Sequence, residues 1–293
     1  MTDELRHVTI VGVGLLGGSA GLALRAARRG VRIAGVGRRQ SSLDEAMRLG
    51  VIDTGHLDPA ECVGRSDLVI LATPVAAFER HLRAISGHLR DGAVVTDVGS
   101  TKERVVRMGE RVLGAGGPFV GSHPMAGSEQ KGVACARADL FTGATCIVTP
   151  TGRTPEPLAE RVERLWRDLG MRTLRMTPAA HDRAVARVSH LPHVLAALLM
   201  MHPRKGDLEV AATGYRDATR LAGGDPEMWR DILMTNRRAI LDAVDGFEEE
   251  LMHLRDLLET GDAPGIEDFF AKAKRRRDET LARTFPERRV AME

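Results

Sequence analysis

HVTIVGVGLLGGSAGLALRAARRG, residues 7–30, decides the fold. Its first residues are β-branched and apolar and run into glycine, as a short buried strand does. Leu16, Ala20, Ala23, Leu24 and Ala27 then recur at helical spacing until Gly30 supplies a stop. Between strand and helix lies Gly12-Val13-Gly14-Leu15-Leu16-Gly17, a G-x-G-x-x-G. The pattern alone is weak, but here it has a strand before it and a helix after it, the context a dinucleotide-binding turn requires. The first glycine allows a tight turn, the second lets backbone approach a pyrophosphate, and the third lets helix pack on strand. Free N–H groups of the first helical turn then face the phosphates. Gly12, Gly14, Leu15, Leu16 and Gly17 are the expected cofactor cradle.

Outward from this unit, strand and helix alternate. VRIAGVG (31–37), SDLVILATP (66–74), AVVTDVGS (93–100), TCIVTP (145–150) and RTLRMTP (172–178) read as strands, with helical stretches between them. One of these helices, SSLDEAMRLG (41–50), carries a Ser42-x-x-Glu45 capping box and a terminal Gly50. Strands spaced by helices of this length imply βαβ units and a parallel, doubly wound Rossmann-type sheet. After about residue 176 strand signals stop and the chain reads as helices. The expected organisation is therefore a dinucleotide-binding domain over 1–176 and an all-α domain over 177–293. Within the helical part Ile240, Val244, Phe247, Leu251, Leu254 and Leu258 form an apolar seam, either an intrachain core or a dimer face.

The end of the second strand bears on cofactor choice. An NAD site usually has an acidic residue there to accept from the ribose 2′-hydroxyl. Here Gly37 is followed by Arg38, Arg39, Gln40 and Ser41. A guanidinium fork suits a 2′-phosphate, so NADP is favoured over NAD, unless Arg38 stacks on the adenine of either. Thr73-Pro74 and Gly99-Ser100 end two further strands at the carboxyl edge, where open α/β sheets bind ligands. Thr73, Pro74 and Ser100 join the cofactor candidates, against a plain loop role.

Bulk properties exclude several classes. With 42 basic and 40 acidic residues in 293, the net charge of +2 gives no field for nucleic-acid binding. The basic run at 272–289 is either a solvated helix face or a binding arm. Cys62, Cys135 and Cys146 are odd in number and form no CxxC, which points to a reducing, cytoplasmic setting. The N-terminus has no signal-peptide h-region, and no run of about 18 apolar residues is evident, so no membrane span is expected.

FVGSHPMAGSEQKG (119–132) shows neither helix nor strand periodicity. Its His123 ends a segment directed at the same carboxyl edge. A histidine there can exchange a proton near neutral pH or simply be solvated. His190 and His193 share a helix face, with a kink expected at Pro192; two imidazoles are too few for a metal centre, and none is expected. Arg216 and Arg220 lie one turn apart and can clamp a carboxylate or form a surface network with Asp217. Trp229 is expected in the core.

GVGLLGGS, LATP, DVGSTK, GSHPMAGSEQKG, HDRAVARVSHLPH and GYRDATRLAGGDPEMWRD, in that order, resemble the prephenate/arogenate dehydrogenase family over nearly the whole chain. The resemblance implies a Rossmann domain, a helical dimerisation domain and a homodimer joined through the C-terminal helices. It implies NAD(P)-dependent oxidative decarboxylation of a cyclohexadienyl acid to a phenol. It implies that His123 takes the 4-hydroxyl proton and that Ser100 orients that hydroxyl or the nicotinamide. Arg220 would bind the ring carboxylate and His193 would line the pocket, with His190 beside it. Ser128 and Glu129 would shape or gate the side-chain end, and Arg216 would reach in from a partner subunit. Two rivals share the glycine loop: a β-hydroxyacid or imine reductase, with Lys205 as its one candidate lysine, and a non-catalytic NADP-sensing dimer. The sensing dimer would need the glycine loop but not HPMAGSE or HLPH.

Overall fold

The structure, a computed structural model, describes residues 5–28, 30–127 and 130–284. Strands β1 (His7–Val11), β2 (Arg32–Val36), β3 (Thr54–His56), β4 (Leu68–Leu71), β5 (Val94–Asp97), β6 (Phe119–Pro124), β7 (Thr145–Thr149) and β8 (Arg172–Arg175) form one sheet. Their order is β3-β2-β1-β4-β5-β6-β7-β8. Helices α1 (Leu15–Ala27), α2 (Gln40–Arg48), α3 (Phe78–Ile85), α4 (Glu103–Leu113) and α5 (Glu156–Asp168) connect and cover it. Two apolar layers result. One includes Ile10, Leu24, Ile33, Phe141 and Trp166; the other includes Val69, Leu71, Phe78, Leu82 and Val105. Strands buried on both faces explain the near-continuous apolar runs in the sequence.

Four expectations change. The segment 119–124 is not a loop but β6, whose Val120 pairs with Thr96 on one side and whose His123 pairs with Ile147 on the other. Gly, Ser, His and Pro have little strand propensity, but neighbours on both edges supply the ladder. β7 runs antiparallel to β6; among the described residues between them the one helical element is the short 3-10 turn Val133–Cys135, not a crossover α-helix of the kind a parallel neighbour needs. β3, three residues long, was not anticipated. The capping box at Ser42 does not form: α2 begins at Gln40 after Arg39, which gives no side-chain cap, and Ser42 and Glu45 lie inside the helix.

Beyond β8 follow α6 (Pro178–Val185), a π-helical turn at Ala186–His190, α7 (Leu191–Met201), α8 (Thr213–Thr219), α9 (Pro226–Thr235), α10 (Arg237–Thr260) and α11 (Ala263–Thr284). Pro192 has no N–H to donate and would crowd the preceding turn; the wider π turn absorbs both effects where a kink was expected. The stretch Pro178–Met201 is, contrary to expectation, long and apolar enough to compare with a membrane-crossing helix, at a mean hydropathy of 1.4. Its His181, Asp182 and His190 are buried in bonds to the sheet domain and α9–α10 junction, which marks it as a helix of the folded domain.

By contacts the chain divides into two compact units, Met1–Ile240 and Leu241–Glu293. The strand-to-helix change comes at residue 176, but the helices up to α9 cluster with the sheet. In the seam, Ile240 is buried while Phe247, Leu251 and Leu258 are exposed.

Candidate active site

The glycine loop sits at the carboxyl end of β1. Gly12 has φ of 101°, and a side chain there would meet the Ala72 backbone at 2.7 Å and Thr73 at 2.8 Å. A Cβ on Gly17 would lie 2.1 Å from the Gly12 carbonyl oxygen, whereas Gly14 faces open space. Gly14 precedes α1 without a side-chain cap, so the first-turn N–H groups of Leu15, Leu16 and Gly17 are left for an anion. This cradle fits a dinucleotide pyrophosphate. Arg38, Arg39 and Ser41 are exposed beyond β2, and Thr73 and Pro74 follow β4 beside Gly12.

Because β1, β4, β5 and β6 run parallel, Gly12, Thr73, Ser100 and His123 all lie toward one edge of the sheet. Ser100 is half-buried after β5. Its neighbour Thr101 is buried and donates to Thr235 Oγ1 of α9 at 3.0 Å, tying the end of β5 to the helical region.

His123 is buried, at 8% exposure. Its Nδ1 lies 2.9 Å from His181 Nε2, and His181 Nδ1 lies 2.8 Å from Asp182 Oδ1. Asp182 also caps α4 from a distance: Lys102 N donates to Oδ1 at 2.7 Å and Glu103 N to Oδ2 at 2.9 Å. Asn236 Nδ2 donates to the Asp182 carbonyl at 2.8 Å and to His190 Nδ1 at 3.1 Å. Beneath them Lys102 Nζ pairs with Asp97, both side chains fully buried. Asp97 further accepts from Gly99 N at 2.8 Å and Ser122 N at 3.0 Å, and so pins β6 beside β5.

Burial lowers the pKa of His123 well below its ordinary value, with His181, Lys102 and His190 adding to the effect. Burial likewise lowers His181 and takes His190 to about 4. The imidazoles are therefore neutral at physiological pH, and a neutral ring can accept a proton.

His193 donates from Nδ1 to the Ser189 carbonyl at 2.8 Å, its ring 3.9 Å from that of Trp229. Trp229 is not a core residue. It is half-buried, packs between His190 and His193, and its Nε1 is buried without a hydrogen-bond partner. Arg220 is exposed but near enough to lower the pKa of His193, after the larger effect of burial. Arg216 is exposed and pairs with Asp217 at 3.2 Å, the surface network that the sequence left open. Ser128 and Glu129 lie outside the described residues. Among the described residues no three His, Cys, Asp or Glu side chains are grouped to hold a metal. The cysteines are free.

His181, Asp182, Asp97, Lys102 and Asn236 were not singled out from the sequence. An Asp closing an apolar strand and a Lys inside a buried segment were the available signals; nothing in a linear reading links His181 to His123, 58 residues away.

Residues 20–175 match the "Prephenate dehydrogenase, nucleotide-binding domain" and residues 177–272 the "Prephenate dehydrogenase, dimerization domain". The chain belongs to the prephenate dehydrogenase family. Among members of this family, prephenate dehydrogenase of Bacillus subtilis is 36% identical over 92% of this chain and 75% of its own length. Cyclohexadienyl dehydrogenase of Zymomonas mobilis is 31% identical, covering 93% and 95%. The crystal structure of prephenate dehydrogenase from A. aeolicus in complex with hydroxyphenyl propionate and NAD+ superposes with a TM-score of 0.89 at 34% identity, over 95% of this chain and 99% of that one. Synechocystis arogenate dehydrogenase gives a TM-score of 0.82 at 30% identity, over 93% and 99%.

Proposed function

We propose that this chain catalyses the NAD(P)-dependent oxidative decarboxylation of prephenate, arogenate or both, in tyrosine biosynthesis, with His123 as proton acceptor. The observation that carries the residue assignment is a neutral, buried imidazole at the sheet edge that also carries the glycine cradle. The nicotinamide, when bound, accepts the hydride from C4 of the substrate ring. His123 takes the proton of the 4-hydroxyl as hydride leaves. Loss of CO2 from C1 returns an electron pair to the ring, and the proton goes back to the phenolate oxygen. The product is 4-hydroxyphenylpyruvate or tyrosine, and aromatisation drives the step. The chain has mainly to hold geometry and relay one proton.

In this reading Ser100 orients the hydroxyl or the nicotinamide. Arg220 binds the ring carboxylate, His193 lines the pocket beside Trp229, and His190 supports it. Gly12, Gly14, Leu15, Leu16 and Gly17 hold the pyrophosphate; Thr73 and Pro74 flank it; Arg38, Arg39 and Ser41 favour the 2′-phosphate of NADP. Ser128 and Glu129 shape the side-chain end, and Arg216 serves a partner's site. Residues 1–176 are the dinucleotide-binding part and 177–293 the substrate and dimerisation part. The exposed Phe247, Leu251 and Leu258 support a homodimer through the C-terminal helices. The free cysteines fit a cytoplasmic enzyme.

The test is turnover of prephenate and of arogenate with NADP and NAD, followed by absorbance of the reduced nicotinamide. His123→Asn should lower kcat by roughly 10²–10⁴-fold with little change in cofactor affinity, and Arg220→Ala should chiefly raise substrate KM. Undiminished turnover by His123→Asn removes the proton-acceptor role.

A further inference from the structure

A neutral histidine has one nitrogen with a proton and one with a lone pair, and the partner of one decides the role of the other. The partners around His123 leave a single consistent assignment. Both Asp182 carboxylate oxygens accept backbone N–H groups, from Lys102 at 2.7 Å and Glu103 at 2.9 Å, at the start of α4. An acceptor so used requires a donor from His181, whose Nδ1 is 2.8 Å from Oδ1. His181 Nδ1 therefore carries its proton, and its Nε2 is a lone pair. That lone pair faces His123 Nδ1 at 2.9 Å, which must then be the N–H. The lone pair of His123 is left on Nε2, the nitrogen not engaged by His181.

We propose that His181 and Asp182 are positioning residues that hold His123 in its Nδ1–H tautomer, keeping Nε2 free to accept the substrate's proton. The inference deepens the role of His123 given above and rests on that reading. Free neutral imidazole favours the opposite tautomer, with the proton on Nε2, so an acceptor at Nδ1 has a definite task. Its fixity has a structural cause. Asp182 is held by the N-terminus of α4, which favours negative charge, and its own carbonyl by Asn236 at 2.8 Å. His181 is fully buried, and the two imidazole rings meet edge to face at 5.1 Å between centroids. Among the described residues the other ionisable groups around this pair include His190, Lys102, Asp97 and Cys146, whose thiol bonds the His123 backbone rather than its ring. Lys102 is turned onto Asp97, and His190 accepts from Asn236, so neither competes for His123 Nδ1. As the proton moves onto His123, the relay places positive charge in line with a carboxylate two residues of contact away, as the orienting acid does in a Ser–His–Asp triad.

The experiment has two independent readouts. The first is the ¹⁵N spectrum of histidine-labelled enzyme above neutral pH, with the His123 signals identified by their loss in His123→Asn. A protonated, pyrrole-type Nδ1 and an unprotonated, pyridine-type Nε2 are expected; the reverse overturns the proposal whether or not the enzyme is active. The second is kinetic. His181→Leu removes the acceptor and should lower kcat by roughly 10²–10⁴-fold, the range for a mispositioned general base, with KM for NADP held within about threefold. His181→Gln offers an amide oxygen at the same place and should restore most of the loss, with His123 returned to the Nδ1–H form. A folded His181→Leu with wild-type kcat overturns the proposal. If that variant fails to fold, the wild-type spectrum decides alone. Full activity of His123→Asn would instead sink the role of His123 itself and leave the tautomer assignment standing.

Discussion

Replacing Lys102 by methionine should expose how strongly the floor of the site depends on one buried ion pair. Lys102 and Asp97 are both inaccessible to solvent, and Asp97 keeps two backbone donors, Gly99 N at 2.8 Å and Ser122 N at 3.0 Å. Lys102→Met preserves the length of the side chain but strands the carboxylate. Breaking a buried pair from one side costs about 3–5 kcal/mol. The two remaining donors temper this, so a loss near ~3 kcal/mol is expected, and for a unit of this size that lowers Tm by roughly 6–12 °C. Asp97→Asn combined with Lys102→Met removes both charges and keeps an acceptor for one donor. It should recover much of the loss, giving a coupling energy of at least about 1.5 kcal/mol. Arg107→Ala, which breaks the exposed Arg107–Glu103 pair four residues apart on α4, is the control and should cost under about 0.5 kcal/mol. Urea unfolding at fixed protein concentration measures these three variants and Asp97→Asn alone, which closes the cycle. A Lys102→Met loss below about 1 kcal/mol, or strict additivity in the double variant, would show that Asp97 carries no charge needing compensation.

Three further outcomes are expected. The neutral form of His123 is the active one and its pKa is depressed, so kcat/KM should stay level as pH falls through 6.5 and drop only well below it; a half-fall near 6.5 refutes the burial argument. Stability should also respond to acid. His190 titrates near its ordinary 6.5 when unfolded and at about 4 when folded, so the unfolded chain takes the proton first. Its contribution is complete above 6.5 and fades by roughly 3 kcal/mol as pH drops to about 4, and a urea midpoint that is flat over that window contradicts it. Finally, Arg38→Ala with Arg39→Ala should weaken NADP binding by roughly 10–100-fold and NAD by under about threefold; equal losses would place both arginines outside the 2′-phosphate site.

Periodicity made the sheet's first half legible because its strands are buried on both faces and its helices bury one side. The glycine loop was legible because backbone, not side chain, does the work there. The same reasoning failed at β6. Gly121, Ser122, His123 and Pro124 have no intrinsic strand preference, and their conformation is imposed by β5, β7 and the bonds to Asp97. His123 itself was visible through its motif, yet its support was not. His181, Asp182 and Asn236 converge only when α6 and the α9–α10 junction are folded against β6 and α4. A capping box at Ser42 failed for the converse reason: a local signal was overridden when α2 began three residues earlier, with Arg39 at its cap, soon after β2.

The widened turn at Ala186–His190 acts as a phase shifter. Each residue of an α-helix turns the chain by about 100°, so one additional residue in a turn rotates everything downstream relative to everything upstream. His181 and Asp182 lie before the widened turn, His190 closes it, and His193 follows it in α7. Inserting or deleting a single residue between positions 182 and 190 would therefore twist half of the pocket away from the other half, while exchanging the exposed Arg187 or Val188 side chain would leave the alignment intact. At its exposed positions length, rather than composition, is the quantity this segment has to keep.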